Sequence, residues 1–316
     1  MKNEKIQGAK HPDKNQSAML VDDFVEKTAT FNGGEIFWLF EPDPKVQEEW
    51  TKRVACALCF CKKFLLENGI SLPEIPYRIY LSSSFTETKS LLYEKSNGKF
   101  ILQPNAASAP FGGALFAEQK AMPFMDIHEY VHILMDCLQV EAMKKSNNYN
   151  YITLPMWYRE GLSQYIQGKK EDANYFELAR KLNYLPPFIL ESMNTPTEKF
   201  WLEFGIMDQR IATGNHPGLT ACASAVQFLI EKEGLGFKKI WDLMFFRGGI
   251  NNFYKEIEEL CQNNMFNVLN NYLYYLDKPF ISADQKTWEM PVAVARDFRR
   301  EFVFGNKPFK ILEGII

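Results

Sequence analysis

Between residues 33 and 120 the spacing of apolar side chains switches repeatedly between two periods. GGEIFWLFEPD is a short apolar run stopped by a Pro turn, which predicts a strand. KVQEEWTKRVACALCFCKKFLLENG then repeats its apolar positions every three to four residues and closes at Gly69, the pattern of a long amphipathic helix. IPYRIYLSSS predicts a second strand, TETKSLLYEK a helix, GKFILQ a third strand and, after a Gly/Ala/Ser/Pro loop, GGALFAEQ a fourth. From Pro123 onward the period is helical almost throughout, over 124–144, 156–168, 171–182, 217–233, 236–246, 250–262 and 265–276. The expected class is therefore α+β. A polar tail (1–20) precedes a mixed α/β subdomain (21–122), a mainly helical subdomain (123–283) and a C-terminal segment (284–316), with a cleft between the two subdomains.

Composition narrows the partners more than the fold. The net charge is −3 and the basic residues form no stripe, so nucleic acid is not an expected ligand. No stretch reaches the length of a membrane span, and the polar N-terminus lacks the apolar core of a signal peptide, so no membrane association is expected. Cys56, Cys59 and Cys61 resemble a metal cluster on paper, yet ACALCFCKKFLL reads as the buried face of a helix and the expectation is three core thiols. None of the six cysteines shows paired spacing across loops, and the expected compartment is the cytoplasm, although a secreted chain trimmed of its leader would read the same way. Nothing in the sequence sets an oligomeric state.

Candidate chemistry is concentrated in HEYVH, within MPFMDIHEYVHILMDCL. His128 and His132 are two of only four histidines, and on a helix residues four apart lie one above the other. Both imidazoles would address one point in space. Glu129, rotated from His128 by about 100°, stands at the edge of that face. Two neutral nitrogen donors and an adjoining carboxylate are the parts of a zinc hydrolase. A catalytic zinc takes three protein ligands and keeps one position open. TLPMWYREGLSQYIQG offers the third. Thr153 and Pro155 suit a helix start, Trp157, Leu162, Tyr165 and Ile166 mark its apolar side, and Glu160 falls among them. A carboxylate in apolar surroundings is costly unless paired, and zinc would pair it. Gly161, directly after, would let this helix approach a neighbour closely. The plainer readings are a chance HExxH in the core of a non-metal helical protein, and Glu160 as a surface residue.

HEYVH followed by WYREGLSQY resembles the gluzincin metallopeptidases. It is particularly similar to peptidase MA-like proteins and to the catalytic domain of bacterial collagenases, whose third ligand sits in a W-x-x-E-G-x-x-x-[YF] helix. The resemblance covers most of residues 30–260, with only the two motifs specific. It implies a thermolysin-like zincin, with Zn2+ on His128, His132 and Glu160, Glu129 as general base, and GGALFAEQ as the edge strand that holds substrate extended. The chain departs from the family at Gln164, where a carboxylate usually steadies a histidine; Asp136 is the alternative for that role, or a solvent-facing residue. It departs again in LTACASAVQ (219–227), where the family often carries tyrosines, which leaves as oxyanion donor His216 in ATGNHPG or a tyrosine nearby; the plainer reading of His216 is a loop residue.

The implied function is hydrolysis of peptide bonds in a peptide or protein substrate by a metal-activated water. Aminopeptidases of this clan grip the free amine with the Glu of a G-x-M-E-N stretch. The counterpart here is GALFA, with Phe116 in place of that Glu, although Glu118 lies two residues on. An endopeptidase is expected. The rivals are an aminopeptidase of the same clan and a zinc-binding pseudo-enzyme that binds a protein partner; Glu129 speaks against the second, since a structural zinc has no use for a base.

Overall fold

In the computed structural model the described residues are 27–31, 34–38, 43–72, 77–81, 107–109, 113–116, 125–146, 154–181, 217–245 and 250–278. They are mainly helical, with one mixed sheet. The predicted helix over TETKSLLYEK, the strand GKFILQ, the N-terminal tail and the C-terminal segment lie outside them, as do Glu118 and His216. The chain divides into two compact units, Met1–Leu138 and Gln139–Ile316, and the division falls inside a helix.

The first unit holds β1 (Lys27–Phe31), β2 (Gly34–Trp38), α1 (Pro44–Glu67), β3 (Tyr77–Leu81), β4 (Ala107–Ala109), β5 (Gly113–Phe116) and the start of α2 (Met125–Ser146). The strand order is β1-β2-β3-β5-β4. β2, β3 and β5 run parallel, flanked by antiparallel β1 and β4. Ile36 pairs with Ile79 across the parallel centre, and neither is exposed. β1 is absent from the sequence reading. Its register pairs Phe31 with Gly34, leaving Asn32-Gly33 between the strands, and Asn-Gly is the strongest short hairpin signal there is.

Two expectations are corrected in this unit. Gly113–Phe116 is not the edge strand: it pairs with β3 on one side and β4 on the other, so among the described residues Ala107–Ala109 is the outermost strand on that side. Ala-Ser-Ala carries neither β-branched residues nor alternation, so only its hairpin pairing with β5 makes it a strand. The cysteines of α1 are not all core. Cys61 is buried, whereas Cys56 and Cys59 are exposed. The buried stripe is Trp50, Val54, Ala57, Leu58, Cys61 and Leu65, and at 100° per residue Cys56 and Cys59 fall well away from it. α1 begins where Asp43 accepts a hydrogen bond from the Lys45 N–H at 2.8 Å, with Pro44 in the first turn. It ends at Gly69, whose φ of 74° is the left-handed conformation that closes helices.

The second unit holds α3 (Met156–Glu171), α4 (Tyr175–Arg180), α5 (Pro217–Glu231), α6 (Phe237–Asp242, continued by a 3-10 turn at Leu243–Phe245), α7 (Ile250–Cys261) and α8 (Met265–Tyr275). With the 3-10 turn counted in α6, every described helix here falls within three residues of its predicted end and, α4 aside, of its predicted start, because each carries a sustained apolar period. α3 and α5 pack most extensively, side by side and in the same direction: Gly161 meets Cys222 and Val226, while Tyr165 and Lys169 reach Glu231. Trp157 and Tyr158, both fully buried, tie the start of α3 to the rest of the unit. The Trp157 indole donates to the Tyr254 hydroxyl at 2.9 Å, and the Tyr158 hydroxyl donates to the Ile240 carbonyl at 2.7 Å. Among the described residues no helix is long and apolar enough to cross a membrane.

Candidate metal centre

α2 delivers the first two donors. Its apolar residues Ile127, Val131, Ile133 and Leu134 are buried, and the same 3.6-residue period turns His128 and His132 to a common face. Their Nε2 atoms lie 3.0 Å apart, with the rings edge to face at 75°. Relative exposure is 3% for His128, 4% for His132 and 6% for Glu129. These are groups withdrawn from water on a helix whose other buried residues are mostly apolar, a setting that demands compensation.

The third donor comes from α3. Glu160 is 7% exposed, and one ligand atom each from His128, His132 and Glu160 all lie within 4.8 Å of one another. This buried group of two imidazoles and a carboxylate could hold a metal ion. The three residues that the two motifs single out are thus brought together. No protein-family model, curated protein or solved structure matches the chain.

Gly161 behaves as its position predicts. A Cβ there would lie 2.8 Å from the Cys222 carbonyl carbon and closer still to its oxygen, and 2.8 Å from Val226 Cγ2. Real Cβ contacts are longer, so only glycine lets α3 and α5 approach this closely beside Glu160. Cys222 consequently sits near the carboxylate, and burial together with the Glu160 charge pushes its thiol well above the usual range.

Gln164 takes a different partner from the one expected. Its side-chain amide donates to the Tyr175 hydroxyl at 2.9 Å, and that hydroxyl donates in turn to the Gln164 main-chain carbonyl at 2.7 Å. The ring passes over Gly168, where a Cβ would come within 2.6 Å of Tyr175 Cζ. Gln164 therefore serves the α3–α4 junction. Asp136, the alternative, is half-buried.

The sequence reading overlooked Asp126. It is 1% exposed, and its Oδ1 accepts from Arg53 Nε at 2.9 Å. Burial pushes its carboxyl up, opposed by the Arg53 guanidinium. The available signal was an arginine inside the apolar pattern of α1 and an acid in the first turn of α2, where a helix favours negative charge.

Proposed function

We propose that the chain is a zinc-dependent metallopeptidase of the gluzincin type, with His128, His132 and Glu160 as ligands and Glu129 as general base. The observation that carries this is the buried His2Glu donor group with a further buried carboxylate directly after the first histidine. The donor set fits zinc. Zinc–nitrogen bonds of about 2.05 Å in a tetrahedron place two nitrogens about 3.3 Å apart, and the two Nε2 atoms lie at 3.0 Å. A third protein ligand leaves one position open, as a catalytic site requires. A zinc ion held there would supply a Lewis acid and lower the pKa of water toward about 7.

The residues supply the rest. Glu129, at the edge of the ligand face, takes the proton of the attacking water and passes it to the leaving amine. Its burial suits that task, because a carboxylate shielded from solvent holds its proton transfer to the reacting groups. His216 is the proposed oxyanion donor, on sequence grounds alone. The thermolysin-like reading is supported by the order of parts: a mixed sheet, then the HEYVH helix, then the Glu160 helix. Endopeptidase action follows from strand pairing with a peptide backbone, which is indifferent to where the substrate chain begins. With β5 paired on both sides, the edge beside it among the described strands is β4, and we assign that pairing to β4.

The deciding experiment is metal analysis of the purified full chain followed by digestion of a peptide library. About one zinc per chain is expected, with zinc retained and turnover reduced by orders of magnitude in Glu129→Gln. Unchanged turnover in that variant would refute Glu129 as base. Residues removed singly from free N-termini, with acetylated peptides left intact, would refute the endopeptidase and favour the aminopeptidase.

A further inference from the structure

Asp126 and Arg53 form a part-buried ion pair between α1 and α2. The Asp126 side chain is 2% exposed and that of Arg53 24%, and the Arg53 guanidinium lies 4.6 Å from the centre of the Trp50 ring. Burying such a pair is costly, and an apolar pair of similar volume would serve packing as well or better. What a guanidinium–carboxylate bond adds is direction, since its donors and acceptor meet only in a narrow range of geometries.

The location of the pair gives that direction a use. α2 starts at Met125, so Asp126 and His128 both belong to its first turn. A metal site requires its donors to be placed within about 0.5 Å. His128, the first of the two histidine ligands, stands two residues along the same helix from a carboxylate that α1 holds in place. Arg53 itself is held from behind: it rises from the middle of a 24-residue helix whose apolar stripe is buried.

We propose that Arg53, acting through Asp126, is a positioning residue for the metal centre, fixing the first turn of α2 so that the His128 imidazole meets that of His132 at the ion. The inference rests on the metal-centre reading and assigns a role to two residues outside it. Neither Arg53 nor Asp126 is a ligand or a catalytic group.

The test separates positioning from support of the fold. In the full chain, the double change Arg53→Met with Asp126→Leu removes both charges together and fills the space with apolar atoms, which buried pairs commonly tolerate. Zinc affinity is read by competition with a chromogenic chelator on protein shown to be folded, and cobalt(II) is then substituted to read the ligand field. The expected result is a zinc Kd weakened by at least about tenfold, with shifted cobalt(II) bands and zinc stoichiometry still near one. An affinity within twofold of the parent with an unchanged cobalt(II) spectrum would overturn the proposal, even if the thermal midpoint had fallen, because a merely structural pair would move stability alone. Should the double variant not fold, Arg53→Lys keeps the charge but gives up the planar Nε donor. Its zinc Kd is expected to weaken by about threefold or more, and parity with the parent would again overturn the role. His128→Ala is the control that keeps the two readings apart: if the parent bound zinc no better than His128→Ala, the metal centre itself would fall and the positioning role with it.

Discussion

Replacing Gly161 with alanine tests whether the position of Glu160 is set by the contact between α3 and α5. The added Cβ would lie 2.8 Å from the Cys222 carbonyl carbon, at least about 0.6 Å inside an ordinary contact of 3.4 Å. Val226 Cγ2 can rotate away, but the Cys222 carbonyl is main chain within α5 and cannot. The helices must separate by roughly that shortfall. Overpacking of this kind costs about 1–3 kcal/mol, which for a unit of this size is a fall in Tm of roughly 2–12 °C. The displacement also exceeds the roughly 0.5 Å that a metal donor tolerates, so zinc affinity should drop by at least about tenfold. Thermal unfolding by circular dichroism reads the first effect, and chelator competition on the folded protein at low temperature reads the second. Gly168→Ala is the internal comparison. Its Cβ meets the Tyr175 ring rather than α5, two turns further along α3, so it should lower Tm without a comparable loss of zinc. A Gly161→Ala protein with Tm within about 1 °C of the parent and zinc affinity within twofold would refute the claim that this contact places the ligand.

Glu160→Ala should strip zinc as thoroughly as His128→Ala, measured as metal per chain; full retention would remove Glu160 from the ligand set. Tyr175→Phe deletes a hydroxyl that both accepts from and donates to Gln164, and should cost about 1–3 kcal/mol in chemical denaturation; no measurable loss would show that the junction is held by packing alone. Native alkylation followed by peptide mapping should label Cys56 and Cys59 first, because both are exposed. Burial pushes the thiols of Cys61 and Cys222 up, and burial with the Glu233 charge raises that of half-buried Cys261 to about 12, so these three should react only after unfolding.

The helical part of the fold was legible because its signal is local: apolar residues sustained at helical spacing predict a helix from the segment alone. The three-residue strand β4 was not, since Ala-Ser-Ala has no period of its own and becomes a strand only by pairing with β5. That one pairing moves the edge of the described sheet from β5 to β4. β1 was legible through Asn32-Gly33 and was passed over. At the centre, the residue types and spacings that mark His128, His132 and Glu160 are read directly from two motifs, and Gly161 from its place beside them. The partners of Asp126 and Gln164 were not legible, because each lies on another element and no residue spacing encodes which side chain will face which. Cys56 and Cys59 were misread for a different reason: the helix was recognised, but its angular period was not followed through the cysteines.

The lock between Gln164 and Tyr175 has a bearing on the order in which the helical unit assembles. It joins residues 11 apart, whereas the bond from Trp157 to Tyr254 joins residues 97 apart. Loop-closure entropy alone favours the shorter connection by about 2 kcal/mol. The α3–α4 pair can therefore close as a local unit while the distant helices are still searching for it, and low contact order of this kind is what speeds folding. Glu160 would then ride on a helix already stiffened at its far end when α5 arrives against Gly161. The buried Glu160 carboxylate is carried, on this route, by one of the earliest rigid pieces of the chain.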